Sequence, residues 1–305
     1  MEVLILGTGG MMPMPGRFLA SAVLRHHGRA TLFDCGEGTQ IPLKSSGFGV
    51  SRFDRIALTH RHADHVTGLP GMLMLIAQAG PRPPLDVAAL PEVCDYVRGT
   101  CRLLAFHMEY DLRYRELDPK GGSFRGEGFT LTYRPLAHRV PNLGFRYEED
   151  PRPGRFDAAR AEALGIPEGP DRSALLRGET VVVNGKPVSP DAVVGPPRRG
   201  RRFAYVVDTI PCDAAVELLD GCDVAVIEAM FREQHVEEAA AKMHLTARQA
   251  ARLVRQAGVK RALLTHFSPR YDAQEIAGLE AEAREVAGET EAARPLARYP
   301  VAAAG

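Results

Sequence analysis

Short apolar runs that stop at a glycine or a polar residue recur along this chain from its first positions. Val3 to Leu6 is a buried-strand pattern that runs into the glycine turn Gly7 to Gly10. ASAVLRHHGRATLFDCG holds two alternating runs joined at His27-Gly28, which predicts a β-hairpin and an antiparallel start to the sheet. From Phe53 onward strands end in polar residues and helices follow. RIALTH, FTLTYRPLAH, RRFAYVVD, DVAVIEA and KRALLTH read as extended segments; GLPGMLMLIAQAG, CDAAVELLDG and TARQAARLVRQAG read as helices, the last closed by a glycine. Alternation of this kind predicts sheets covered by helices.

Two stretches need separate treatment. Gly7-x-Gly9 follows a strand and Asp34 comes about 25 residues later, as in a dinucleotide-binding turn. That turn must open a helix, and Pro13 and Pro15 forbid a helix interior there. The segment 141–202 breaks the alternation: it is rich in proline, glycine and charge, with one helix-like piece, DAARAEALG, capped by Asp157. The expectation is one domain over residues 1–305 with a flexible arm inserted at 141–202.

Composition changes this picture little. The 305 residues carry 38 basic and 38 acidic side chains, so any nucleic-acid contact needs a local patch. Arg198, Arg199, Arg201 and Arg202 form such a patch at the end of the insert. The five cysteines contain no CxxC pair and are odd in number, which suits reduced thiols in a cytoplasmic protein. The start lacks a signal-peptide pattern, and no apolar run is long enough to span a bilayer.

The candidate chemistry sits in LTHRHADHVTGLPG, where His60, His62, Asp64 and His65 occupy six consecutive positions in a chain with ten histidines. Three other strand ends carry a histidine or aspartate: His138, Asp208 and His266. In layered sheet folds strand ends gather at one edge, where ligands bind. Imidazoles and carboxylates without thiolate form the ligand set of zinc or a similar first-row metal. His60, His62 and His138 make one set of three; Asp64, His65 and His266 make a second; Asp208 has two oxygens with which to bridge them. Two cations sharing a carboxylate suit hydrolysis, because each lowers the pKa of bound water. Without a metal, so much crowded polarity would leave donors and acceptors unpaired. His26, His27, His107 and His235 are read as structural.

His60-Arg61-His62-Ala63-Asp64-His65 resembles the HxHxDH signature of the metallo-β-lactamase superfamily. FDCGEGTQ, GLPG, AHRVPNLGFR, PGRFD, LGIPEGP, GPPRRGR, VVDT and LTHFSPRY resemble, in order, the sequence blocks of the ribonuclease Z family, the tRNA 3′-processing endonucleases. The resemblance implies an α/β four-layer αββα sandwich and two Zn2+ per subunit, with Mn2+ an alternative. It also implies Asp64 as proton acceptor, His244 near the scissile phosphate, and Glu228 in a second motif. The insert would be a protruding arm that grips precursor tRNA, in a homodimer. Phosphate contacts give affinity without sequence information, and arginines supply forked donors for them.

This chain departs from the family pattern at three single positions and in the segment after Pro170, DRSALLRGE, which lacks an aromatic and lysines common there. Ala63 replaces a glycine, Ile227 a histidine and Leu245 a serine, and the last two changes are expected to alter contact with the leaving group or the RNA end. Two other readings stay open: a hydrolase of small phosphodiesters, sulfate esters or lactones, and a non-catalytic RNA-binding protein with a structural metal.

Overall fold

The computed structural model describes residues 1–80 and 83–303. The strands are β1 (Glu2–Gly7), β2 (Ser21–His26), β3 (Arg29–Phe33), β4 (Phe53–Ala57), β5 (Leu85–Ala89), β6 (Leu112–Glu116), β7 (Gly122–Gly126), β8 (Phe129–Pro135), β9 (Leu143–Glu149), β10 (Val181–Val183), β11 (Lys186–Val188), β12 (Arg202–Val206), β13 (Val224–Glu228), β14 (Ala262–Thr265), β15 (Thr290–Ala292) and β16 (Arg298–Pro300). The α-helices are α1 (Gln40–Ser45), α2 (Ala63–Val66), α3 (Leu69–Ala77), α4 (Pro91–Leu103), α5 (Ala158–Ala163), α6 (Pro170–Leu176), α7 (Asp213–Leu219), α8 (Val236–Lys242), α9 (Ala247–Gln256) and α10 (Ala273–Arg284).

Residues 1–148 and 202–305 form one unit and residues 149–201 another. In the first unit, one sheet runs β16-β1-β2-β3-β4-β5-β6 and the other β15-β14-β13-β12-β9-β8-β7. The first begins as the antiparallel meander expected from the hairpin signal and continues parallel from β3 to β6. The second is parallel from β12 to β15. Parallel strands covered on both faces read as continuous apolar runs, and VAVIE and ALLT are buried at every position. Helices α1, α3 and α4 lie with the first sheet, and α7, α9 and α10 with the second. The expected αββα sandwich is present.

Aromatic side chains fill the space between the sheets. Phe33, fully buried at the end of β3, meets Phe145, Phe203 and Tyr205 of the opposite sheet at ring separations of 5.8, 5.5 and 5.4 Å. A second apolar cluster, including Val206, Leu218, Ala251, Leu264 and Leu279, lies between the second sheet and its helices. Capping boxes at Thr246/Gln249 and Asp272/Glu275 start α9 and α10. Within each sheet the parallel strands finish at one edge, so the chain after β3 and β4, and after β12, β13 and β14, supplies the loops of the site.

The expected bounds of the insert need correction. Residues 143–149 form β9 and Arg202 opens β12, and the separate compact unit is 149–201. Leu143, Phe145 and Tyr147 are buried while Arg146 and Glu148 are half-buried. The charges and nearby prolines disguised this alternation. The unit is also better built than a flexible arm: it has α5, α6, the β10–β11 hairpin and a cluster of Ala161, Ile166, Leu175, Val181, Val183 and Val193. Asp157 caps α5 as expected, accepting from the Arg160 amide at 2.9 Å. Asn184-Gly185, both with positive φ, turn the hairpin, an Asn-Gly signal that the reading of the sequence passed over.

Truncating Phe33 to Ala removes the ring on which three others pack. The expected loss is about 3–5 kcal/mol of unfolding free energy, measured by denaturant titration; a loss below about 1 kcal/mol would refute this account of the core.

Candidate metal centre

Thr59 and His60 come just after β4, His62 caps α2, and Asp64 and His65 lie in α2. His60 Nε2 lies 2.9 Å from His62 Nδ1, and His138 Nε2 lies 3.2 Å from that same atom. Two nitrogens bound at 2.0–2.1 Å on a tetrahedral ion stand roughly 3.3 Å apart, so this convergence has the size of a ligand set. On the other side, Asp64 Oδ2 is 3.5 Å from His65 Nε2 and 3.4 Å from His266 Nε2. Asp208 stands between the two sets. Its Oδ2 faces His60 and His138 at 3.6 and 3.7 Å, and its Oδ1 faces His65 and His266 at 3.4 and 3.2 Å.

The donor set fits cations. His65 Nε2 and Asp208 Oδ1 are buried and have no hydrogen-bond partner among the described residues, a costly state for polar atoms unless something binds them. Burial first, then repulsion from neighbouring imidazoles, pushes His60 well below the ordinary histidine pKa; His62 and His138 are also lowered, chiefly by burial. Those rings are therefore neutral, the metal-binding form. At His65 burial acts in the same direction but is outweighed by Asp208, Asp64 and Asp34, which push the pKa well above normal. Asp64 is likewise held ionised: His65 and His266 overcome its burial. These carboxylates call for positive charge at the centre.

An outer layer fixes the rings. His65 Nδ1–H donates to Asp34 Oδ2 at 2.7 Å, so its Nε2 lone pair faces the centre. Asp34 also accepts from the Thr59 amide at 2.8 Å and from the Thr59 hydroxyl at 3.0 Å, and that hydroxyl receives His60 Nδ1–H at 3.0 Å. His138 Nδ1–H donates to the Met243 carbonyl at 3.1 Å. Asn142 donates to the carbonyls of Val207 and Asp208 at 2.9 and 2.6 Å, and the Met11 amide donates to Asp64 Oδ2 at 2.7 Å. Asp34, Thr59, Asn142 and Met11 were not assigned these roles from sequence, though Asp34 lies in FDCGEGTQ and Asn142 in AHRVPNLGFR.

Backbone strain concentrates here. Asp34, Asp208, Met243 and His266 have φ of 55°, 56°, 59° and 60°, a left-handed conformation that costs a residue with a side chain on the order of 1–3 kcal/mol. Gly10 is needed for close approach, since a Cβ there would lie 2.8 Å from the His266 ring.

His244 and Glu228 adjoin the centre. The His244 ring is 5.2 Å from that of His138 and 5.4 Å from that of His266. Its Nδ1–H donates to Glu228 Oε1 at 3.1 Å, and buried Glu228 also accepts from the Thr209 and Leu245 amides at 2.6 and 3.0 Å. Burial disfavours the His244 cation, but Glu228, helped by Asp208 and Asp64, lifts its pKa to about 9. Ile227 and Leu245, expected to alter contact with the RNA end, are instead fully buried in the cluster under the second sheet. Their apolar side chains serve packing.

The arginine patch also needs correction. Arg201 is ion-paired with Glu149, and Arg202 with Glu148 at 2.8 Å, so their charge is largely matched. Arg198 is exposed, its Nε donating to the Pro153 carbonyl at 3.0 Å, and Arg199 is half-buried.

Residues 192–267 match the family described as beta-lactamase superfamily domain, and residues 1–85 match that described as anti-Pycsar protein Apyc1. Ribonuclease Z of Treponema denticola is 40% identical over 291 residues, covering 95% of this chain and 94% of its own. Ribonuclease Z of Gloeothece citriformis is 38% identical over 307 residues, covering 99% and 96%. Among solved structures, human tRNase Z, short form, gives a TM-score of 0.73 at 24% identity, covering 99% of this chain and 100% of its own. The metallo-β-lactamase fold protein YhfI from Bacillus subtilis gives 0.68 at 17% identity, covering 98% of each. Fold and site together define a protein of the metallo-β-lactamase superfamily. Within it, the relatives at this identity and coverage settle the family: the chain belongs to the ribonuclease Z family.

Asp34 is not one of the residues that face the centre; it holds His65 directly and His60 through Thr59, so its removal tests ring orientation. Asp34→Ala is expected to weaken metal affinity by about 10–100-fold, read by competition with a chromophoric chelator; unchanged affinity would sink the orienting role.

Proposed function

We propose that this chain is a zinc-dependent endoribonuclease that removes the 3′ trailer from precursor tRNA. The observation that carries the reading is Asp208, whose two oxygens face two different histidine sets in a member of this family. His60, His62 and His138 would hold one Zn2+, and Asp64, His65 and His266 the other, with Asp208 shared; Mn2+ suits the same ligands. When bound, such a pair supplies Lewis acidity and acidifies water enough to make it a nucleophile near neutral pH.

The residues of the chain do the rest. Asp64, held ionised, accepts the proton of the attacking water. A new oxygen–phosphorus bond forms and the bond from phosphorus to the 3′ oxygen breaks. That oxygen takes a proton from the His244 cation, which Glu228 favours, and leaves as the 3′-hydroxyl of the tRNA, while the phosphate stays on the trailer. His244 donates a hydrogen bond to the departing oxygen or the phosphate. Glu228 acts through His244, fixing Nδ1 so that Nε2 serves the substrate.

Residues 149–201 would grip the tRNA body through phosphate contacts, with the exposed Arg198 the leading candidate. The subunit would work as a homodimer. Supporting this, Met74 on α3, Leu103 at the end of α4 and Leu104 just after it are exposed by 49%, 81% and 57%. No helix among the described residues is long and apolar enough to cross a membrane. The reading places the enzyme in the cytoplasm, which suits its free cysteines.

Incubation with a 3′-extended precursor tRNA is expected to give one cut near the end of the acceptor stem, abolished by chelator and by Asp64→Ala. The Glu149 amide donates to the Arg201 carbonyl at 2.9 Å, so a short link can replace residues 150–200. That deletion should abolish precursor cleavage and spare a small chromogenic phosphodiester. Equal survival of both activities would favour a small-ester hydrolase, and absence of cleavage by the metal-loaded wild type would favour a binding protein. Separately, Leu103→Glu with Leu104→Glu should convert dimer to monomer by light scattering; a wild-type monomer would refute the pairing.

A further inference from the structure

A cavity of about 250 Å³ lies at the beginnings of the strands whose ends carry the metal centre. His26 at the end of β2, Arg29 at the start of β3, Asp54 and Arg55 in β4, Phe129 in β8 and Tyr147 in β9 line it. Five-residue strands separate it from Asp34 and Thr59 by about 17 Å, so it is not part of the centre described above.

Arg55 is the unusual member. Alternation along β4 turns it toward the opposite sheet, where its guanidinium carbon lies 4.9 Å from the Phe129 ring and 5.4 Å from that of Phe124. It is only 7% exposed. Its Nε and Nη1 are both buried and have no hydrogen-bond partner among the described residues. Aromatic faces attract the cation, but they leave the in-plane N–H donors unmet. A buried guanidinium in that state is strongly disfavoured unless an acceptor reaches it.

The cavity's own acids are not that acceptor. Arg29 lies 3.2 Å from Glu127 and 3.9 Å from Asp54; Asp54 also feels the charge of Arg55, but neither acid makes a hydrogen bond to Arg55 Nε or Nη1. His26 is engaged with the Tyr147 hydroxyl at 2.9 Å. What remains is a planar, permanently charged donor facing a space with room for a few heavy atoms. A small oxyanion matches such a donor in charge and in geometry.

We propose that this cavity binds a small oxyanion, a phosphate or a carboxylate, against Arg55. The site is independent of the metals and too small for a polynucleotide strand. Crystals of the wild-type, metal-loaded protein soaked in tungstate, standing in for phosphate, or in trichloroacetate, standing in for carboxylates, test it without any substitution. The expected result is heavy-atom density within hydrogen-bond distance of Arg55. Density with tungstate alone assigns a phosphate, and with trichloroacetate alone a carboxylate; none with either overturns the proposal. In solution, calorimetric titration of the holoprotein with inorganic phosphate, and separately with acetate, reads the same site. Arg55→Met is expected to lower affinity there by about tenfold or more while binding at the metal centre persists. Identical titrations of a folded Arg55→Met variant would also overturn the proposal.

Discussion

The structure turns on the neutralisation of buried carboxylates by whatever cations the crowded imidazoles admit. Asp34, Asp64 and Asp208 converge on His65, and the resulting field pulls positive charge into a region with little water. Asp208 is central because, among the described residues, its two oxygens reach both halves of the cluster. Removing it would leave two separate groups of histidines. The sandwich around it can be understood as the scaffold that brings five strand ends to one edge and keeps solvent from screening the charges.

Most of this centre was legible in the sequence for a simple reason. Four of its side chains sit within six positions, a density of imidazole that no packing requirement explains. The remaining three end strand-like runs, and strand ends share an edge. What could not be read was the layer behind. Asp34 orients His65 from 31 positions away, and Asn142 steadies the backbone of Asp208 from 66 away. Neither residue has a local pattern that marks it, because its partner is defined only once the sheets pack. The elements from Leu85 to Glu116, which complete the first sheet with α4 between β5 and β6, also went unassigned from sequence, as did α10.

The insert shows the opposite failure. Its proline, glycine and charge content suggested a loose loop, yet it gathers six apolar residues into a cluster and turns a hairpin on Asn184-Gly185. Composition averaged over sixty residues hides a small core when the apolar residues are few and spaced among charges. The arginine patch misleads in a similar way. Along the chain it is a run of four cations; in space, two of them meet the carboxylates of Glu148 and Glu149, which belong to the facing strand. A charge run becomes a binding surface only to the extent that its own fold leaves it unmatched.

Strain gives a last argument for reading the centre as built in advance of its ligands. Asp34, Asp208 and His266 all hold left-handed backbone angles, and each follows within two residues of a strand that ends at the edge. A chain free to relax would avoid placing three such residues side by side. The surrounding sheets over-determine them: the Asp34 amide donates to the Ala57 carbonyl and Phe267 to Thr8, while Asn142 grips Asp208. The sharp bend at each strand end redirects the side chain from the sheet's face toward the common centre, which an extended strand cannot do because its side chains alternate above and below. The cost of the bends is thus tied to the convergence itself. It is met by the aromatic core between the sheets, where Phe33, the residue immediately before Asp34, locks its strand against three rings of the other sheet.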